Sequence, residues 1–140
     1  MKKSRWLILF AVVLIALFIP VIPVNVVPEW PLRLVDESGQ PVSNARIDQW
    51  WKDYTLEFWR WPHVDESMSS DDQGIVRFPA RNIRVSVAQF VVAKIVDVVT
   101  SINPHAGYGP HANVLCRGSL SCNVSYRPGE ELPKVVVVKR

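Results

Sequence analysis

The sequence predicts a mainly β domain that carries one amphipathic helix and follows an N-terminal membrane-inserting segment. An uncharged apolar run lies near the N-terminus, short alternating apolar and polar stretches follow it, and one later segment has helical periodicity. Eleven prolines and six glycines favour many turns. We expect an N-terminal segment over residues 1–28 and one domain over residues 29–140.

The net charge of +3 comes from the first five residues. Lys2, Lys3 and Arg5 carry three positive charges, and removing them from the 16 Lys and Arg leaves 13 to balance the 13 Asp and Glu. A nucleic-acid-binding protein needs a basic face that releases counterions from phosphates. The balanced remainder therefore argues against a nucleic-acid partner.

The apolar run extends from Trp6 to Val24 and contains no charged residue. About 20 such residues cross a hydrocarbon core of roughly 30 Å, so the run predicts an N-terminal transmembrane helix that anchors the protein. A cleaved signal peptide has a similar basic start, but its small-residue cleavage site is missing here. A buried core helix is a third interpretation. Pro20 and Pro23 are expected to end or kink the helix early.

The basic flank predicts the orientation of the chain. Lys2, Lys3 and Arg5 should stay in the cytoplasm, because positively charged flanks are retained there. The protein is then a single-pass membrane protein whose domain is extracytoplasmic, either periplasmic or extracellular. Membrane lipid is the first expected partner, and an envelope protein or a glycan is a further candidate.

Two cysteines, Cys116 and Cys122, are separated by five residues that include Gly118. Strand-like residues flank the pair, which predicts a hairpin closed by a disulfide. An extracytoplasmic location permits that bond. Two free buried thiols are the alternative. A lone pair at this spacing is neither a zinc site nor a thiol oxidoreductase motif.

Alternating residues and turn signals predict a series of short strands. The predicted strands cover residues 30–35, 42–54, 56–61, 75–79 and 134–138. The last of them is a continuous β-branched run, which is typical of a strand buried on both faces or paired near the centre of a sheet.

Two stretches have a recognisable order of turns and strands. Val35-Asp36-Glu37-Ser38-Gly39-Gln40-Pro41-Val42-Ser43-Asn44-Ala45-Arg46-Ile47 is followed by Ser70-Asp71-Asp72-Gln73-Gly74-Ile75-Val76-Arg77-Phe78. This pattern, over about residues 30–80, resembles the carboxypeptidase regulatory-like domains, which are prealbumin-like antiparallel β-sandwiches.

The resemblance implies a non-catalytic accessory or adhesion-type module. It does not imply peptidase activity, and no zinc-peptidase ligand set is present in the sequence. The transthyretin-like hydroxyisourate hydrolases share this fold and end in Y-R-G-S, whereas this chain ends in Val137-Val138-Lys139-Arg140. We therefore expect no enzymatic activity and no cofactor, although a fold resemblance alone does not establish function.

The segment from about residue 84 to residue 101 predicts an amphipathic helix. Its polar residues fall within an arc of about 140° when the chain turns by 100° per residue. They are Ser86, Gln89, Lys94, Asp97, Thr100 and Ser101. The remaining wide apolar arc predicts a helix that lies over one face of a sheet. A helix that contacts the bilayer and a pair of valine-rich strands are the alternatives.

Trp50, Trp51, Trp59 and Trp61 form an aromatic group that is a candidate ligand site or interface. Neighbouring residues of a strand point to opposite faces, so one of Trp50 and Trp51 should be exposed. Core packing is the simplest role, and stacking on sugar rings or at a membrane surface is the functional alternative. The histidines are too few and too dispersed to predict a metal site. They are His63, His105 and His111.

Overall fold

The structure, a computed structural model, describes residues 2–64, 67–100, 102, 108–118 and 120–139. This part of the chain contains two helices and ten strands, which confirms the mainly β class. The helices are α1 (Lys2–Phe18) and α2 (Val87–Thr100). The strands are β1 (Ile22–Val27), β2 (Trp30–Val35), β3 (Arg46–Asp53), β4 (His63–Val64), β5 (Met68–Ser69), β6 (Ile75–Phe78), β7 (Arg81–Val85), β8 (Pro110–Cys116), β9 (Asn123–Tyr126) and β10 (Val135–Val137).

The strands form three sheets. β1 pairs with β7, a second sheet has the order β10-β2-β6, and a third has the order β4-β3-β8-β9 with β5 also paired to β3. Within the described residues, every pair is antiparallel except β10 with β2, which is parallel. Almost the whole domain separates these two strands in sequence, so no tight turn dictates an antiparallel pairing.

One hydrophobic core joins the two larger sheets. Trp30 and Phe78 contribute to it from one sheet, and Ile47 and Val114 contribute from the other; all four are fully buried. The side chains alternate along β2, where positions 30, 32 and 34 are buried and positions 31 and 33 are exposed. The period-two pattern of the sequence therefore places one face of β2 in this core.

The two turn motifs of the sequence lie side by side. Asp36 Oδ1 accepts hydrogen bonds from the amides of residues 38 and 40, and Asp71 Oδ1 accepts them from residues 73 and 75. Leu34 N donates to Gly74 O at 2.8 Å and Leu34 O accepts from Val42 N at 3.1 Å. Gly74 has a φ of +73°, and a Cβ there would lie 2.5 Å from Leu34 O. The close packing of the two turns therefore requires glycine at this position.

The predicted disulfide is confirmed. Cys116 lies at the end of β8, Cys122 lies just before β9, and the two sulfur atoms are bonded. Cys116 N also donates to Cys122 O at 3.2 Å. The bond therefore closes the loop that connects the two antiparallel strands of a β-hairpin.

Removing the disulfide is expected to lower the free energy of unfolding by about 2 kcal/mol, because a short closed loop restricts the unfolded chain. The variant is Cys116→Ser with Cys122→Ser, and the measurement is its urea unfolding curve. Reduction of the unmodified protein should produce the same loss. Equal stability of the reduced and oxidised proteins would contradict the prediction.

A buried carboxylate fixes the same hairpin to β3. Asp48 is 5% exposed and accepts hydrogen bonds from Ser67 Oγ at 2.6 Å and from the Arg117 guanidinium. Burial alone would raise the pKa of the Asp48 carboxyl, but these hydrogen bonds and the charge of Arg117 hold that pKa below its usual value of 3.8. Because the pKa of Asp48 is lower in the folded state than in the unfolded chain, the carboxylate stabilises the folded state at pH values above the unfolded pKa. This stabilisation is lost as the pH falls through the folded pKa.

The Arg117→Gln variant is expected to lose about 1–3 kcal/mol of stability at neutral pH, because it leaves a buried charge less well bonded. The deficit should shrink below about pH 3.8, where Asp48 becomes protonated in the unfolded chain. Urea unfolding at several pH values measures this difference. The exposed Arg127→Gln provides the control, and a deficit that is independent of pH would contradict the role of Asp48.

The predicted transmembrane helix over Trp6–Val24 is not supported. α1 ends at Phe18, and residues 22–27 pair with β7 as β1 instead. Pro20 lies two residues beyond the end of the helix and Pro23 lies in β1, and proline in a helix interior removes a backbone hydrogen bond. Among the described residues, neither helix combines the length and the apolarity that crossing a membrane requires.

Two predicted strands differ from the structure. Residues 54–59 form turns instead of a third long strand. β10 lies at the edge of its sheet, and Val135 and Val137 are 55% and 49% exposed, so the expected central position is wrong. A β-branched run predicts a strand but does not determine whether both of its faces are covered.

Candidate membrane interface

Helix α1 exposes apolar side chains in every direction. From Trp6 to Phe18 it contains no charged or polar residue. The exposed fractions of its large side chains range from 37% for Leu17 to 71% for Trp6. A helix that is hydrophobic on all sides normally lies inside a large protein or in a membrane. The described part of the chain leaves this surface uncovered.

The β1–β7 ladder connects α1 to α2. Ile22, near the end of α1, is paired with Val85, which lies just before α2. The end of α1 and the start of α2 therefore lie at the same end of this antiparallel ladder, and the two helices contact each other. Ser86 caps α2, because its hydroxyl accepts a hydrogen bond from Gln89 N at 3.1 Å.

The polar side of α2 faces the domain. Gln89 Nε2 donates to Leu56 O at 2.6 Å, and Thr55 Oγ1 donates to Asp97 Oδ1 at 3.0 Å. Ala93 is the one buried residue of α2, with 4% exposure. The helix is therefore attached to the domain through these hydrogen bonds, through Ala93 and through the partly buried Phe90, which packs against the cluster of Leu56, Val85 and Ala93.

The apolar side of α2 faces away from the domain. Its five most exposed apolar residues lie within an arc of about 120° at 3.6 residues per turn. They are Val91 (51%), Val92 (54%), Ile95 (58%), Val98 (70%) and Val99 (63%). The expected packing of this arc against a sheet is therefore wrong. Hydrophobic periodicity predicts a helix with two faces, but it does not say which face is directed at the domain.

An exposed aromatic turn lies beside α2 and connects β3 to β4. Phe58 is 68% exposed and Trp59 is 57% exposed, and their rings meet edge to face at 4.5 Å. Trp61 is 91% exposed. The hydrogen bond from Gln89 to Leu56 holds this turn against the helix. Aromatic side chains of this type are common at membrane surfaces and at sugar-binding sites.

The four predicted tryptophans do not form one cluster. Trp51 is 9% exposed and stacks on His63 at 4.1 Å, whereas Trp50 on the opposite face of β3 is 43% exposed. Trp59 and Trp61 belong to the exposed turn. The aromatic group thus supplies one core residue, one exposed strand residue and two residues of the turn beside α2.

The other predicted residues are dispersed. Arg5 is exposed at the start of α1, which also includes Lys2 and Lys3. His63 Nε2 lies 2.9 Å from Glu57 Oε1, and His111 lies near Gly109 O. His105 falls outside the described residues. Within the described ranges, no group of three or more His, Cys, Asp or Glu side chains could hold a metal ion.

A small cavity of about 180 Å³ lies between α2 and the strands β1 and β3, and Asp53 and Asp97 are among the residues that line it. Asp53 Oδ1 accepts hydrogen bonds from Thr55 N at 2.9 Å and Leu56 N at 2.8 Å. Burial raises the pKa of the Asp53 carboxyl; these two hydrogen bonds oppose the rise, and the nearby Asp97 and Glu57 charges add to it. Asp53 was detectable in the sequence only as the first residue of an Asx turn. Its bonds favour a structural role in fixing the aromatic turn.

Comparison with known proteins identifies no relative. No protein-family model, no curated protein and no solved structure matches this chain. The resemblance to the carboxypeptidase regulatory-like domains therefore stays a prediction.

Proposed function

We propose that this protein is a non-catalytic binding or structural module that α1 attaches to a membrane, with its β domain outside the cytoplasm. The observation that carries the proposal is the uncovered apolar surface of α1 from Trp6 to Phe18. Full burial of each large apolar side chain is worth about 1.5–3 kcal/mol. A membrane is the environment that provides such burial for a helix that is apolar on all sides.

The disulfide supports the extracytoplasmic location. Cys116 and Cys122 are bonded, and no free cysteine accompanies them in this chain. Such bonds persist in oxidising compartments and are rare in the cytosol.

The proposal extends to the fold family. In the turns that begin at Asp36 and Asp71, the aspartate side chain accepts hydrogen bonds from backbone amides of its own turn. The backbone of Leu34 is hydrogen-bonded to Gly74 in the second turn and to Val42 just after the first. Their contact gives a physical reason for the D-x-x-G pattern that resembles the carboxypeptidase regulatory-like domains. A prealbumin-like sandwich is the fold that we propose for residues 29–140.

Carbonate extraction of membranes, followed by intact mass measurement, tests the attachment. We expect the protein to stay in the washed membranes with α1 still present. A shorter protein in the soluble exported fraction would replace the proposal with a secreted domain produced by signal cleavage. Alkaline phosphatase fused to the C-terminus should be active, and activity only of a cytoplasmic reporter would overturn the proposed location.

A glycan-binding module is the second candidate function, favoured by the exposure of Trp59 and Trp61. Tryptophan faces stack on sugar rings, so binding should shift the fluorescence emission of the protein. Titration with cell-wall glycans is expected to give a saturable shift that Trp61→Ala reduces. Glycan binding that Trp61→Ala leaves unchanged, or an unmoved emission maximum, would rule out this candidate.

A further inference from the structure

We propose that the outer face of α2 lies in the same membrane as α1, so that the domain is held at the bilayer surface by two helices. The outer face consists of Val91, Val92, Ile95, Val98 and Val99. This inference rests on the proposed attachment through α1. It adds a second contact and thereby a fixed orientation of the domain.

The arrangement of α2 is the reverse of a surface helix in water. A surface helix places its apolar stripe on the core and its polar residues in solvent. Here Gln89 and Asp97 are hydrogen-bonded to the domain, while Ile95 and Val98 are 58% and 70% exposed. A helix of this type is stable when a second apolar environment covers its outer face.

Continuity with α1 indicates that this environment is lipid. The two helices contact each other and leave the same end of the β1–β7 ladder. A bilayer that takes up α1 therefore lies next to α2. The aromatic turn is hydrogen-bonded to α2 through Leu56 O and Gln89 Nε2, and its Phe58 and Trp59 side chains are of a type that is common at membrane interfaces.

Two basic residues lie close to the outer face along the chain. The face itself carries no charged residue. Lys94 borders the face on α2; its side chain is 65% exposed and pairs with Asp97 Oδ2 at 3.6 Å. Arg84, just before the helix, is also exposed. Basic residues bordering an apolar face are typical of helices that lie in the headgroup region.

Depth-dependent quenching of a site-specific label tests the inference on the full chain. An environment-sensitive fluorophore is placed at Ile95→Cys, with the native disulfide kept oxidised. Matched labels are placed at Ile15→Cys in α1 and at Glu37→Cys in an exposed turn. The labelled proteins are incorporated into phosphatidylcholine–phosphatidylglycerol vesicles that contain a nitroxide quencher on the acyl chains.

We expect the labels at positions 15 and 95 to shift to the blue and lose most of their emission, while the label at position 37 does neither. Quenching at position 15 alone would overturn the inference and leave the attachment of α1 intact. Quenching at neither position would overturn both. A blue shift at position 95 without quenching would mean that a protein covers α2, and it would also overturn the inference.

A second set of variants measures the contribution of α2 to binding. In a chain whose α1 is disabled by Ile8→Asp and Val13→Asp, Ile95→Glu with Val98→Glu is expected to weaken the residual vesicle binding about tenfold or more. The exposed Val135→Glu should leave that binding unchanged. Equal residual binding of all three chains would argue against the α2 contact.

Discussion

Replacing Ile8 and Val13 by aspartate is expected to move the protein from the membrane to the soluble fraction. Each carboxylate costs about 2.5–3.5 kcal/mol when a helix carries it into the hydrocarbon region. The pair should therefore weaken attachment by at least about a thousandfold. The two side chains are separated by about 140° around the helix, so no rotation of α1 keeps both of them out of lipid. Vesicle flotation and fractionation of cells measure the change.

The matched control is Ile8→Ala with Val13→Ala, which shortens the same side chains without adding charge. It should retain membrane attachment. Both positions are more than half exposed in the structure, so the aspartate variant is also expected to keep its fold and its Cys116–Cys122 bond. Persistent attachment of a folded aspartate variant would contradict the role of α1.

Trp30→Ala is expected to lower the free energy of unfolding by about 3–5 kcal/mol. Trp30 is fully buried, and its ring lies 6.3 Å from that of Phe78 and 6.4 Å from that of Tyr126. Its indole Nε1 donates to Pro133 O at 2.7 Å. The side chain therefore joins β2 and β6 to β9 and to the segment before β10. Such a loss is a large part of the roughly 5–15 kcal/mol that stabilises a typical domain.

Denaturant unfolding followed by circular dichroism measures this effect without relying on tryptophan emission. Trp61→Ala is the matched control, because Trp61 is 91% exposed, and its stability should change by less than about 0.5 kcal/mol. Trp30→Phe retains much of the side-chain volume but loses the hydrogen bond. The free energy of unfolding of this variant should therefore lie between those of the Trp30→Ala and Trp61→Ala variants. Equal stability of the Trp30→Ala and Trp61→Ala variants would contradict the position of Trp30 in the core.

Local patterns in the sequence determined several features of this protein. The uncharged run after Arg5, the pairing of Cys116 with Cys122, and a helix within residues 84–101 all follow from composition and spacing. These features are local, because periodicity and short loops act over a few residues. The alternation of buried and exposed side chains along β2 is also a local feature, because successive side chains of a strand point to opposite faces.

Contacts between distant segments determined the pairing of β1, the position of β10 in its sheet and the orientation of α2. Residues 22–27 form a strand because they pair with β7, which lies about sixty residues later in the chain. β10 occupies a sheet edge because, among the described residues, β2 is the one strand that pairs with it. The polar side of α2 turns inward because Thr55 and Leu56 supply hydrogen-bond partners there. Periodicity could predict the two faces of α2, but only its neighbours in space determine which face the domain covers and which face stays exposed.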